Sequence, residues 1–114
     1  MSEATDVVDR QIAAYRDRDL ERFLGFYAAD IKVRDFDGNV LMDGLEAMRG
    51  RYGLLFRDSP RLSVEIARRM VAGDYVIDEE HLSGFNLAGS PAEMQAVVIY
   101  RVRQGLIHDV VLLM

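Results

Sequence analysis

Apolar positions in the first part of the chain repeat with a helical period. Val8, Ile12 and Tyr15 fall at i, i+4 and i+7 and form one face of a first helix. Asp19 stands where an N-cap belongs, and Leu20, Phe23, Leu24 and Tyr27 make the apolar stripe of a second helix beyond it. From Ile31 the period drops to two, with Ile31, Val33 and Asp35 on one face and Lys32, Arg34 and Phe36 on the other. Asp37-Gly38-Asn39 predicts a hairpin, and Val40 to Met42 its returning strand. Asp43-Gly44 opens a third helix whose apolar residues are Leu45, Met48, Tyr52, Leu55 and Phe56. Gly50 and Gly53 weaken that helix, so packing must hold it, and Asp58-Ser59-Pro60 ends it.

The remainder reads as strands over 62–71, 75–85, 93–103 and 106–114. Gly73-Asp74, a loop over 86–91 and Gln104-Gly105 separate them. Helices first and long antiparallel strands after them make an α+β fold rather than an alternating one. Val97-Val98-Ile99 and Val110 to Met114 are apolar on both faces, whereas an open antiparallel sheet normally keeps one face polar. The helices can cover one side only, so the outer sheet face is expected to meet a second copy in a homodimer.

Composition narrows the function. The 114 residues suit one domain spanning 1–114, and half of them are apolar, which is too many for a disordered chain. A net charge of −5 repels phosphate backbones, so no nucleic-acid partner is expected. The absence of cysteine excludes disulfides, thiolate catalysis and thiolate metal sites, and two histidines are too few for a histidine cage. The start lacks a basic-then-apolar leader and no apolar run reaches spanning length. The expectation is therefore a cytoplasmic protein without a membrane partner.

The segments Asp19 to Asp30, Ile31 to Asp35, Met42-Asp43-Gly44 and Val98 to Ile107, taken in this order, carry a family resemblance. The chain resembles the nuclear-transport-factor-2-like superfamily, in particular its ketosteroid-isomerase-like and SnoaL-like cyclase branches, over nearly its whole length. The resemblance implies a cone-shaped α+β barrel, with three N-terminal helices packed in a curved, mostly antiparallel sheet around a pocket. It is specific for fold and weak for activity, because the superfamily hosts enzymes and binding-only members alike.

The resemblance to ketosteroid isomerase places the catalytic aspartate of that branch on Asp35. Alternation also puts Asp35 on the face of Ile31 and Val33, where desolvation would raise its pKa toward that of a useful base. The plainer reading is that Asp35 caps the Asp37-Gly38 turn. The positions that supply oxyanion donors in that branch hold Gln11 and Val98, which argues against a true steroid isomerase. In Asp78-Glu79-Glu80-His81, either Ile77, Glu79, His81 and Ser83 face inward or Val76, Asp78, Glu80 and Leu82 do. The register carried over from the resemblance favours the first set. His108 shares a face with Val110, Leu112 and Met114 by alternation. With the first set inward, Asp35, Glu79, His81 and His108 form one acid–base cluster: Asp35 the base, a histidine the acid or donor, Glu79 orienting a histidine. A one-residue bulge reverses this facing.

No compact metal motif is present, and neither a metal nor a cofactor is expected. Tyr15, Tyr27, Tyr52, Phe56, Met94, Val98, Tyr100 and Leu112 are read as pocket wall, suited to a small apolar molecule. Two functions stand side by side. One is cofactor-free acid–base isomerisation or cyclisation of a small apolar carbonyl compound; the other is a ligand-binding or dimerisation module without turnover.

Overall fold

The computed structural model describes residues 2–89 and 91–114. Ser90, within the loop expected over 86–91, and Met1 lie outside the described residues. Helix α1 runs Glu3–Arg16 and begins with a reciprocal cap. The Thr5 backbone N–H donates to Ser2 Oγ at 3.2 Å, and the Ser2 N–H donates to Thr5 Oγ1 at 3.2 Å. Its buried stripe carries Val8, Gln11, Ile12 and Tyr15. Helix α2, Leu20–Leu24, has Asp19 as its N-cap, accepting from the Arg22 N–H at 3.2 Å.

Tyr27, expected on the second helix, instead opens strand β1, Tyr27–Asp35. The sheet takes over there: the Ile107 N–H donates to the Phe26 carbonyl at 2.8 Å, and Tyr27 pairs with Ile107. The other elements are β2, Val40–Asp43; α3, Leu45–Asp58; β3, Ser63–Ala72; β4, Tyr75–Ser83; β5, Glu93–Arg103; and β6, Leu106–Leu113.

The six strands form one curved sheet in the order β2-β1-β6-β5-β4-β3. Every pairing is antiparallel except β1 with β6. The sheet does not close, so the architecture is an open cone with β2 and β3 as its edges. The helices occupy the concave side, where Ile31, Val33, Val76, Val98, Ile107 and Val110 are buried. Between helices and sheet, Phe23 packs against Tyr52, Tyr27 and Phe56 with ring centroids 4.8, 5.2 and 5.4 Å apart. Such tilted and edge-on contacts suit the quadrupoles of the rings. The outer sheet face carries Ile77, Val97, Ile99 and Val111 beside an ion-pair network in which Asp109 accepts from both Arg34 and Arg101. Among the described residues, no helix is long and apolar enough to cross a membrane.

The sheet register is also interrupted in the β1–β2 and β1–β6 pairs, but two of the interruptions bear on the candidate residues of β4 and β6. Ile66 pairs with Glu80 and Arg68 with Glu79, so Ala67 is an extra residue in β3. Arg101 pairs with Asp109 and Val102 with Ile107, so His108 is an extra residue in β6.

After β4 the chain turns at Gly84, which adopts φ +81°. A Cβ there would lie 2.0 Å from the Arg61 carbonyl oxygen. Gly84→Ala is therefore expected to cost about 1–3 kcal/mol from backbone strain together with this clash. Gly105→Ala, also at positive φ but with nothing within 4 Å, isolates the conformational part. Thermal unfolding of both variants checks this, and equal losses would refute a role for the Arg61 contact.

Candidate functional site

A cavity of about 390 Å³ lies between the helices and the concave face of the sheet. Its deep wall is made by buried Gln11 and Ile12 of α1, Tyr27 of β1, Glu80 of β4 and Tyr100 of β5. Its outer rim includes residues that reach solvent, among them Leu41 of β2, Arg51 of α3 and Met114.

Of the residues read as pocket wall, Tyr15, Tyr27, Tyr52 and Tyr100 line this cavity, as do Met94, Val98 and Leu112. Phe56 does not. It is buried behind the cavity wall, packed edge-on against Phe23 and Tyr15.

The four residues expected to form an acid–base cluster do not converge, and none lines the cavity. Asp35 is committed to the hairpin turn. One carboxylate oxygen accepts from the Asn39 N–H and the other from the Asn39 side chain, each at 2.9 Å. Those bonds, the side-chain one first, hold its carboxyl below the usual range, opposite to what a base would need. Glu79 points to the outer face, accepting from Gln95 Nε2 at 2.9 Å with Arg68 nearby. His81 is exposed on that same face, opposite Gln95 and Glu65. His108 occupies the β6 bulge, which takes it out of alternation with Val110. It borders a surface depression with Asp74, Arg103 and Gln104, and its Nε2 is buried without a partner among the described residues.

The second facing of β4 is the one present, with Val76, Asp78 and Glu80 buried beneath the helices. Two carboxylates there would be prohibitively costly without compensation. Asp78, fully buried, is clamped by Arg69 from the neighbouring strand: Nε donates to Oδ1 at 2.6 Å and Nη2 to Oδ2 at 2.9 Å. Arg69 Nη1 also donates to Asp9 on α1 at 2.6 Å. The Ala67 bulge lies just before this arginine, in the stretch where β3 changes its register against β4.

Glu80 has no such clamp. Its Oε2 accepts from the Tyr100 hydroxyl at 2.9 Å. Gln11 Nε2 donates to that hydroxyl at 3.3 Å, and the Tyr27 hydroxyl donates to Gln11 Oε1 at 2.8 Å. Glu80 Oε1 has no partner among the described residues. Burial pushes the Glu80 carboxyl up to about 7, and the nearby Asp78 charge adds to the rise. The Tyr100 bond and the Arg69 charge pull the other way without cancelling it.

Burial also raises the Tyr15 hydroxyl far above its ordinary range and pushes Tyr52 up to about 12, so both stay protonated donors. Neither hydroxyl bonds to another described residue, and both side chains line the cavity. The arrangement is an apolar chamber holding one acid that titrates near neutrality and two uncommitted phenolic donors. Among the described residues, no three His, Asp or Glu side chains gather as a metal site.

Comparison with known proteins fits this geometry. The model of the SnoaL-like domain matches residues 8–110. No curated protein matches the sequence. Among solved structures, an uncharacterized cystatin-fold protein from Novosphingobium aromaticivorans superposes with a TM-score of 0.85 at 24% identity, over 98% of this chain and 97% of that one. A computationally designed 17-OHP binder gives 0.82 at 20% identity, over 98% and 91%. A candidate SnoaL-like polyketide cyclase from Jannaschia sp. CCS1 gives 0.76 at 17% identity, over 96% and 83%. At these identities the likeness establishes the fold.

Proposed function

The chain belongs to the SnoaL-like domain family, and on that premise we propose that its cavity carries out cofactor-free proton transfer on a small, mainly apolar carbonyl compound. The observation that carries this reading is Glu80: a carboxyl in the wall of an apolar cavity, with one free oxygen and a pKa near 7. Such a group exchanges protons in both directions at neutral pH.

In the reaction, the Glu80 carboxylate removes a proton from the carbon beside the carbonyl. The electron pair of that C–H bond moves into the enolate, whose oxygen takes hydrogen bonds from Tyr15 and Tyr52. Donors aimed at developing charge in a dry cavity are commonly the largest catalytic contribution. Return of the proton at another carbon completes an isomerisation. Alternatively, the enolate carbon attacks a second carbonyl of the same molecule, the C=O π pair moves to oxygen, and Glu80 returns its proton to that alkoxide, which completes a cyclisation. That a neighbour of the same fold is a designed 17-OHP binder supports an occupied cavity. A second copy of the chain remains the proposed partner of the outer face around Ile99 and Val111.

One observation favours binding without turnover: Tyr27, Gln11 and Tyr100 already satisfy one another, as in a pocket that holds its ligand by shape. Deuterium incorporation beside the carbonyl of 1-tetralone, followed by proton NMR in D2O, separates the readings. The acid–base reading expects exchange faster than buffer, rising with pH to a plateau above about 7, and lowered about 100-fold by Glu80→Gln. Ligand-induced shifts without faster exchange would leave binding alone, and absence of both would sink the proposal.

A further inference from the structure

Of the 14 lysines and arginines, all but three engage a carboxylate or a backbone carbonyl among the described residues. Arg18, Arg51 and Arg61 are the exceptions, and only Arg51 lines the cavity. This chain has 19 acidic residues, so a partner for a cation is easily come by. Arg49, two positions earlier on the same helix, takes both Glu21 and Glu46.

Helical spacing explains the difference. Met48, Arg51 and Leu55 are three and four residues apart and so share the face of α3 that looks onto the cavity, with Tyr52 beside them. Met48 and Leu55 on that face are buried and Arg51 is exposed. The guanidinium therefore stands at the rim, where an occupant would meet solvent. Around it the rim is apolar: Leu41, Phe85, Leu87 and Met114.

We infer that Arg51 is a specificity-determining residue, recognising an anionic group, such as a carboxylate or sulfonate, on the outer end of an otherwise apolar ligand. The inference rests on the cavity being a ligand site, as proposed above, and not on Glu80 being a catalyst. The deep end then accommodates the ligand's apolar body and any carbonyl, while the rim receives its charge. An anion there gains charge-assisted hydrogen bonds to a planar donor fork, which a neutral molecule of the same shape does not.

Two fluorescent probes with one ring system test this. 8-Anilinonaphthalene-1-sulfonate carries the anion, and N-phenyl-1-naphthylamine lacks it. The sulfonate is expected to displace the neutral amine from the wild-type protein. Arg51→Gln is expected to weaken the sulfonate about tenfold, as the loss of a charge-assisted bond implies, and to change the amine less than twofold. Arg51→Lys restores part of the sulfonate affinity, and added salt narrows the gap between the probes. Equal changes for both probes in Arg51→Gln, or failure of the sulfonate to displace the amine, would overturn the role of Arg51 and leave the ligand cavity standing. Failure of both probes to bind would overturn the cavity and the Arg51 inference together. Because Arg51 is exposed, unchanged circular dichroism is expected for both variants.

Discussion

Replacing Arg69 with methionine is expected to destabilise the fold by about 3–5 kcal/mol, because it leaves a buried carboxylate without its counter-charge. Asp78 has no solvent exposure, and both of its oxygens are held by this one guanidinium. The same substitution releases Asp9 on α1, loosening the contact between helix and sheet. Removing both partners is a different experiment. Arg69→Met combined with Asp78→Leu puts apolar groups of similar volume in place of the pair, and most of the loss is expected to be recovered. Urea unfolding of the wild type, the single variant and the double variant at pH 7 measures this. A loss below about 1 kcal/mol for Arg69→Met would mean that the pair is not what makes Asp78 tolerable.

The second large effect is on stability against pH. Folded Glu80 holds its proton up to about pH 7, whereas an ordinary glutamate releases it near 4.5. Between those values the folded chain binds more protons than the unfolded one. The contribution of Glu80 is therefore fully present below about pH 4.5 and is lost as pH rises through 7. The shift corresponds to about 3 kcal/mol. Glu80→Gln, which keeps the shape and loses the titration, is expected to flatten this decline between pH 5 and 8. Urea midpoints taken across that range decide it, and parallel curves for the two proteins would show that Glu80 does not titrate as its burial requires.

Much of the architecture was legible. The change from a period of 3.6 to a period of 2 near Ile31, the Asp19 cap, the Gly73-Asp74 turn and the third helix over Leu45–Asp58 all reflect local chemistry that survives in the fold. The hydrophobic pattern assigns Tyr27 to the second helix because a helical stripe and the first inward residue of a strand look alike until β6 pairs with it.

The site was legible only in part, and β4 is the reason. The hairpin turn sets Arg69 opposite Asp78 and Arg68 opposite Glu79, so each face of β4 receives an arginine–carboxylate pair and charge matching does not choose between them. Strands β5 and β6 are apolar on both faces and do not choose either. The choice is made by bulges and long-range pairing, and the His108 bulge leaves no trace in the hydrophobic pattern. The inward tyrosines were easier to place: Tyr15, Tyr27, Tyr52 and Tyr100 all line the cavity, whereas Phe56 lies behind it.

The place of β6 has a consequence for how the chain is made. It lies between β1 and β5, and its parallel partner β1 stands most of the sequence away. Until β6 has been made, no strand joins the β1–β2 hairpin to the β3–β4–β5 meander, and the facing edges of β1 and β5 have no partner. Contacts so distant in sequence form slowly, because loop closure comes before any reward. The cavity therefore lacks its β6 side until that strand has paired, and until then the open edges of β1 and β5 are exposed to pairing with other chains.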